Sequence, residues 1–194
     1  MQQQTPRVLF SQIGVDGQSE YTRGDWRKVA IHNSKEIRGF FGPYEWLSNT
    51  HRSEVFYFGM KFPSAENAYQ ATKVFPSERP RFQTCSPFEA MKLGDSLPAV
   101  DPLSWPTRKL DSMRTILFSK FHESPELARR LLATGNAHLE ERLWWRDTFW
   151  GYDVNLKAGE NHMGRLLMTV REELQRRARC ADQDLSNVRV PRHW

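Results

Sequence analysis

Cysteine is scarce in this chain, with only Cys85 and Cys180 among 194 residues and no CxxC motif. So few cysteines exclude a disulfide framework and the common zinc sites. Long apolar runs are also missing, because no segment reaches the roughly 18 apolar residues of a membrane-spanning helix. The N-terminus shows no signal-peptide pattern either. We therefore expect a cytoplasmic protein that does not associate with membranes.

The common nucleotide-binding and hydrolase motifs are absent as well. No GxSxG, GxxxxGK[ST] or GxGxxG occurs, which argues against a serine hydrolase, a P-loop NTPase and a dinucleotide-binding fold. The 6 histidines are scattered and form no HxxxH pair. Metal catalysis is therefore disfavoured, and we expect neither a metal nor a cofactor.

The composition that remains is that of an ordinary globular domain, with 39% hydrophobic and 26% charged residues. A chain of this length predicts one domain. The 7 Trp, 12 Phe and 5 Tyr predict an unusually aromatic core. A net charge of +5 favours a polyanionic partner. Charge alone leaves open whether that partner is a nucleic acid or a phosphorylated small molecule.

The chain is predicted to divide into three segments. Residues 1–36 form an irregular leader that packs on the domain, residues 37–180 form the domain, and residues 181–194 form an extended tail without periodicity. Within the domain, "SEVFYFGMKFPS" predicts a β-hairpin with Gly59 near its turn.

Helix signals dominate the rest of the domain. Ser64, Ser86 and Ser124 are predicted N-caps of three helices, and apolar spacing predicts a fourth over residues 108–121. Asn161 precedes the last helix, in which apolar residues recur at i, i+3, i+4 and i+7. The expected fold class is mainly α, an α+β fold with a small β-hairpin or sheet element.

The helix after Ser64 carries four functional groups within two turns. Glu66 and Gln70 lie four residues apart, as do Tyr69 and Lys73, so each pair shares a face. Such a stripe is either a solvated face with salt bridges or one wall of a pocket. Spacing alone favours the solvated face, because exposed pairs at this spacing are common.

Several carboxylates stand among aromatic residues in "LEERLWWRDTFWGYD". They are Glu140, Glu141, Asp147 and Asp153. Apolar surroundings raise the pKa of a carboxyl group, as a general acid near neutral pH requires. The alternative is an amphipathic segment whose aromatic residues face the core and whose acids face water.

The segment "GENHMGRLLM" offers a third candidate site. Gly159, Asn161 and Gly164 lie at the start of the last helix, where free N–H groups and the helix dipole can bind phosphate. Capping of the helix would by itself also explain Asn161.

An ordered set of motifs runs through the domain from about Ile37 to Leu174. In chain order the motifs are "LSN", "PSAENAYQATK", "WPTRKLDSM", "SKF", "LLATG", "RDTFWG" and "NHMGRLLMTVR". This succession resembles the NADAR family, also called YbiA-like. Two positions depart from the family pattern: Asn67 stands where a histidine is usual, and Thr50 where an aromatic residue is usual.

The resemblance implies a compact, single-domain YbiA-like fold and an N-glycosidase that cleaves a bond between ribose C1 and nitrogen. It implies a substrate that is an ADP-ribose or ribose-phosphate N-glycoside, including ADP-ribosylated guanine in DNA or RNA. The implied catalytic residues are Glu66 and Asp147. The implied substrate-binding residues are Asn49, Tyr69, Gln70, Lys73, Trp105, Lys109, Trp150, Gly151, Asn161 and Gly164.

The resemblance leaves some roles open. Glu66 would orient or deprotonate the water, and Asp147 would bind the ribose hydroxyls or protonate the leaving base, although the two roles could be exchanged. Alternative functions are hydrolysis of phosphoribosylamino-pyrimidine intermediates of riboflavin synthesis, a non-catalytic ADP-ribose-binding module, and a nucleic-acid-binding accessory protein. The last would use the basic leader and the Arg-rich end "REELQRRAR". The oligomeric state and the roles of Glu140 and Glu141 are not predicted.

Overall fold

A computed structural model describes residues 26–187 of the chain. The predicted structure of residues 1–25 and 188–194 lies outside the described residues. Among the described residues, helix clearly outweighs strand, and the strands form only small sheets. The α+β part of the predicted fold class is therefore confirmed, whereas "mainly α" describes the protein only roughly.

The helices in the described part of the chain are α1 (Trp26–Val29), α2 (Ala65–Ala71), α3 (Pro87–Ser96), α4 (Trp105–His122), α5 (Pro125–Ala133) and α6 (His162–Asn187). Two segments, Gly42–Leu47 and Pro76–Gln83, form 3-10 helix. The strands are β1 (Ile31–His32), β2 (Glu36–Arg38), β3 (Arg52–Tyr57), β4 (Met60–Ser64), β5 (His138–Glu140), β6 (Arg142–Leu143) and β7 (Tyr152–Asp153).

The strands form three small sheets. Strands β1, β2 and β5 make one sheet, in which β1 and β2 are antiparallel and β2 and β5 are parallel. Strands β3 and β4 form the predicted hairpin, which is confirmed. Phe58 and Gly59 both have positive φ at its turn, a backbone conformation typical of two-residue hairpin turns. Strands β6 and β7 pair in parallel.

The predicted helix starts at Ser64, Ser86 and Ser124 are confirmed, because each serine hydroxyl accepts a hydrogen bond from a backbone N–H of the first turn. Helix α4 begins at Trp105, three residues before the predicted start. Its first turn contains Pro106, which is tolerated there because the first turn needs no N–H donor.

The last helix begins after Asn161, as predicted, but continues to Asn187. The expectation of an extended chain directly after Cys180 is therefore wrong for residues 181–187, which are helical. No glycine or proline stands between Gly164 and Pro191, so nothing in the sequence stops the helix at Cys180. Periodic apolar residues end earlier than the helix itself.

Helix α2 lies at the centre of the fold, where it contacts α3, α4, β3 and β4. Its 7 residues are all buried. Alanines at positions 65, 68 and 71 give it a small cross-section, which allows the neighbouring elements to approach closely. The large core side chains around it include Leu47, Phe62, Phe82, Met113 and Leu117. A short polar helix is thus enclosed by the hydrophobic core.

Candidate active site

Helix α2 does not present a solvated face. Glu66 is 7% exposed, Tyr69 6% and Gln70 5%. The solvated-face interpretation that spacing favoured is therefore wrong. Asn67, one residue after Glu66, is completely buried and donates to the carbonyl oxygens of Phe82 and Cys85, both at 2.9 Å. Asn67 thus anchors the Pro76–Gln83 segment to α2.

Glu66 is held by groups from two elements. Gln70 Nε2 donates to Glu66 Oε1 at 2.7 Å. The backbone N–H of Glu66 donates to the carbonyl oxygen of Asn49 at 3.0 Å. Burial raises the pKa of Glu66, and the hydrogen bond from Gln70, the charge of Lys73 and the Asn49 side chain partly offset this increase.

Asn49 follows the Gly42–Leu47 segment and is buried beside α4. Its Nδ2 lies 3.5 Å from the sulfur of Met113. Its Oδ1 is buried and has no hydrogen-bond partner among the described residues, and the same holds for Gln70 Oε1. Buried acceptors without donors are rare in proteins. Gln70 Oε1 faces Gly94 of α3, so Asn49 Oδ1 is the candidate acceptor for a donor group of a ligand.

Aromatic rings surround Tyr69. Its ring centroid lies 5.4 Å from that of Trp105 and 5.5 Å from that of Trp150, and Trp150 lies 5.0 Å from Phe149. Burial and then the charge of Glu66 raise the pKa of Tyr69, so its hydroxyl stays protonated. Lys73 Nζ lies 5.0 Å from the Tyr69 ring centroid. These rings join α2, the start of α4 and the "RDTFWG" segment.

Asp147 shapes the segment that carries Trp150. Its Oδ1 accepts hydrogen bonds from the N–H of Phe149 at 3.1 Å and of Trp150 at 2.9 Å. Burial raises the pKa of Asp147, and these N–H groups and the charge of Lys109 partly offset the increase. The charge of Asp147 adds slightly to the pKa of Glu66, so the two carboxyl groups lie within electrostatic range of each other.

Lys109 contacts the same segment through Phe149. Its Nζ is 3.1 Å from the ring centroid of Phe149. Burial lowers the pKa of Lys109, while the charges of Asp147 and Glu160 act in the opposite direction. The lysine therefore faces an acid and an aromatic ring within the protein.

Glu141 is the functional group that sequence reasoning left undecided. Its N–H donates to Asn161 Oδ1 at 3.1 Å, and its carbonyl oxygen accepts from the N–H of Tyr152 at 2.7 Å. The residue keeps some exposed surface, yet burial of its carboxyl group raises its pKa to about 8. The charges of Asp147 and Glu66 raise this pKa further, which brings Glu141 into the same acidic site.

Glu140 has a different role from its neighbour. Its carboxylate accepts from Arg142 Nε at 2.9 Å and lies 3.8 Å from Arg38 Nη1. Both arginines belong to the small sheets, so Glu140 ties these sheets together by ion pairs.

Lys120 is a second group that the sequence reasoning missed. Its side chain is completely buried, and its Nζ donates to the carbonyl oxygen of Ser48 at 2.7 Å, next to Asn49. Burial lowers the pKa of Lys120 to about 7, and the charges of Glu45 and Glu141 act in the opposite direction. The sequence contained one indication that Lys120 is buried: it stands in the "SKF" motif, within the apolar stripe of α4.

The start of α6 does not offer free N–H groups. The N–H groups of Asn161, His162 and Met163 donate to carbonyl oxygens of Gly151, Phe149 and Trp150. The N–H of Gly164 donates to Asn161 Oδ1 at 3.3 Å. The prediction of free phosphate-binding N–H groups here is therefore wrong.

Asn161, Gly151 and Gly164 have packing roles that explain their place in the sequence. Asn161 Nδ2 donates to the carbonyl oxygen of Leu139 at 2.9 Å. A Cβ on Gly164 would lie 2.1 Å from that same oxygen, and a Cβ on Gly151 would lie 2.7 Å from the carbonyl oxygen of Glu141. These contacts join α6 to β5 and fix the backbone of Glu141.

Among the described residues, no group of three or more His, Cys, Asp or Glu side chains could hold a metal ion. Within the same part of the chain, no helix combines the length and the apolar character that a membrane crossing requires.

The described residues define an α+β domain whose candidate site holds carboxyl groups in poorly solvated positions beside aromatic rings. The NADAR domain model matches residues 17–175. The chain belongs to the NADAR family, as its motifs predicted.

Named relatives support this assignment. A riboflavin biosynthesis protein of Vibrio vulnificus is 33% identical over 162 residues, which cover 80% of this chain and 43% of that protein. The N-glycosidase YbiA of Shigella boydii is 36% identical over 119 residues, which cover 60% of this chain and 72% of that protein. This chain thus spans less than half of the Vibrio relative. The YbiA name confirms the predicted enzyme class at the level of the family.

A solved structure supports the fold. The NMR structure of the Escherichia coli protein YbiA matches with a TM-score of 0.65 and 28% identity. The match covers 87% of this chain and 97% of that chain.

Proposed function

We propose that this protein is an N-glycosidase that hydrolyses the bond between ribose C1 and nitrogen in a phosphorylated N-glycoside. The observation that carries the proposal is the contact between the segments that hold Glu66 and Asp147: Tyr69 of α2 packs against Trp150, whose N–H donates to Asp147. The two acids lie far apart in sequence; Glu66 is buried, Asp147 is partly buried, and burial raises the pKa of both. Carboxyl groups in such surroundings are typical of catalytic sites rather than of solvated surfaces.

Hydrolysis of this bond passes through a ribosyl cation, so the site must stabilise positive charge at C1 and position a water. We assign these tasks to Glu66, which Gln70 orients by a hydrogen bond of 2.7 Å. The unpartnered Oδ1 of Asn49, beside Glu66, would accept a hydrogen bond from a ribose hydroxyl. Asp147 would contact the ribose or the leaving base from the other side.

The departing base needs a proton and a surface on which to stack. With a pKa of about 8, the carboxyl group of Glu141 carries a proton at neutral pH and can donate it. The rings of Trp105 and Trp150, both beside Tyr69, provide flat apolar faces for a base. Glu141 and these tryptophans therefore complete a site for base departure.

For the substrate we propose an ADP-ribosyl N-glycoside, in particular ADP-ribosylated guanine, free or in DNA or RNA. A second candidate is a phosphoribosylamino-pyrimidine of riboflavin synthesis, which the name of the Vibrio relative favours. A module that only binds ADP-ribose would have no need for two carboxyl groups removed from water at a cost in stability. A nucleic-acid-binding accessory protein would not need them either.

The test measures base release from both substrates by the wild type and by Glu66→Gln. The amide keeps the size of the side chain and removes its charge, so we expect the rate to fall by at least about 100-fold. Glu172→Gln, at an exposed position of α6, serves as the matched control and should retain full activity. Release by Glu66→Gln at the wild-type rate would remove Glu66 from the mechanism.

A further inference from the structure

The proposed substrate carries phosphate, yet the groups expected to bind it are engaged elsewhere. The N–H groups at the start of α6 donate within the protein. Lys73 interacts with the charges of Glu66 and Asp95, and Lys109 with those of Asp147 and Glu160. A second source of positive charge is therefore needed near the aromatic rings.

Arg79 and Arg108 provide that charge. Arg79 lies in the Pro76–Gln83 segment, and Arg108 lies in the first turns of α4. Arg108 follows Trp105 by three residues, and residues three apart lie on one face of a helix. Arg108 is thus a neighbour of the ring that faces Tyr69. The charge of Arg108 also acts on Arg79, so the two guanidinium groups lie within electrostatic range of each other.

Each arginine buries one nitrogen that lacks a partner. Arg79 Nε and Arg108 Nη2 are buried and have no hydrogen-bond partner among the described residues. Buried N–H donors are almost always paired in proteins, with protein groups, water or a ligand. Two arginines that each bury an unpaired donor are the pattern expected of an anion-binding site.

The two side chains are also held in place. The guanidinium carbon of Arg79 lies 3.7 Å from the centroid of the Phe58 ring, at the turn of the β3–β4 hairpin. Arg108 Nε donates to Ser104 Oγ at 2.7 Å. Asp101 Oδ2 lies 3.9 Å from Arg108 Nη2, beyond hydrogen-bond distance. The like charges therefore remain only partly compensated.

We propose that Arg79 and Arg108 bind the phosphate or diphosphate group of the N-glycoside at the edge of the active site next to Trp105. This assignment rests on the proposed function for the identity of the substrate. The binding chemistry is that of a phosphate ester, whether it belongs to a ribose monophosphate or to an ADP-ribosyl group. The guanidinium groups suit this ligand, because each presents several donors to phosphate oxygens.

Calorimetry with inorganic pyrophosphate at low ionic strength tests the site without any catalysis. We expect Arg79→Gln and Arg108→Gln each to weaken binding by about tenfold or more, because each removes charge-assisted hydrogen bonds. Arg114→Gln, at an exposed position of the same helix, is the matched control and should bind as the wild type does. Thermal midpoints measured for every variant separate lost binding from lost folding.

Two outcomes would overturn the proposal: the wild type fails to bind pyrophosphate, or both arginine variants bind it as tightly as the wild type. Kinetics then separate this site from the proposed function. If the glycoside is cleaved and the arginine variants raise KM with kcat unchanged, the arginine site and the proposed glycosidase function are both supported. Cleavage with KM unaffected in both variants rejects the arginine site alone. Pyrophosphate binding that depends on both arginines, without any cleavage, rejects the glycosidase alone.

Discussion

Asp147 combines a structural and a chemical role in a single side chain. Its Oδ1 accepts the N–H groups of Phe149 and Trp150, which fixes the turn that presents the Trp150 ring to Tyr69. Its charge faces Lys109 and acts on Glu66. The two roles can be separated by substitution, because an amide oxygen can replace a carboxylate oxygen as acceptor but not as a charge.

We expect Asp147→Asn to keep the fold and lose activity. The amide oxygen still accepts the two N–H groups, so the thermal midpoint should stay near that of the wild type. An amide cannot replace the carboxyl group in its contact with the ribose or the leaving base, so base release should slow by at least about 100-fold. Asp111→Asn, at an exposed position of α4, is the control. A midpoint that falls together with activity would make Asp147 a structural residue only.

At the scale of single residues, the sequence could identify Glu66 but not its surroundings. Spacing along α2 predicts which side chains share a face, but not that β3, β4, α3 and α4 enclose every face of that helix. Glu140 and Glu141 are adjacent, but Glu140 ends β5 and Glu141 lies between β5 and β6. Only the tertiary structure separates the ion-paired Glu140 from the acid beside Asp147.

At the scale of elements, the contact between α2 and α3 determines the position of Gln70. A Cβ on Gly94 of α3 would lie 2.3 Å from Gln70 Oε1. Gln70 in turn donates to Glu66. The absence of a side chain at Gly94 therefore leaves room for the amide that orients the carboxyl group.

We expect Gly94→Ala to displace Gln70 and to lower the rate of base release. In a background of Gln70→Ala, the same substitution should have no further effect on the rate. There it should stabilise the protein by about 1 kcal/mol, because alanine favours a helix more than glycine does. A double-mutant cycle of rates and unfolding free energies measures this coupling. Equal effects of Gly94→Ala in both backgrounds would show that it does not act through Gln70.

Elements whose signals are local were predicted well, and those that depend on distant partners were not. The caps at Ser64, Ser86 and Ser124 lie within one turn of the groups they bind. The start of α6 looked like an anion site because its N–H groups are free when the helix is considered alone. In the fold they donate to the "RDTFWG" segment, which no local pattern indicates.

For the molecule as a whole, the buried site makes stability depend on pH. The pKa of Glu141 is about 8 in the fold and near 4.5 when unfolded, so the folded state holds the extra proton between these values. The contribution of Glu141 to the free energy of unfolding is fully present below pH 4.5 and is lost as pH rises to 8. The pKa of Lys120 is about 7 instead of 10.5, so its contribution changes in the opposite sense between those values. The two contributions oppose each other only between pH 7 and 8.

The variant Glu141→Gln isolates the first contribution. A glutamine resembles the protonated acid at every pH, so the variant should match the wild type near pH 4.5 and become relatively more stable as pH rises to 8. The difference in unfolding free energy should increase by at most about 1.4 kcal/mol per pH unit and then stay constant. Denaturant titrations from pH 5 to 9, with Glu172→Gln as the control, measure it. A difference that is independent of pH would mean that Glu141 ionises in the fold as it does in the unfolded chain, and it could not then hold the proton that the leaving base requires.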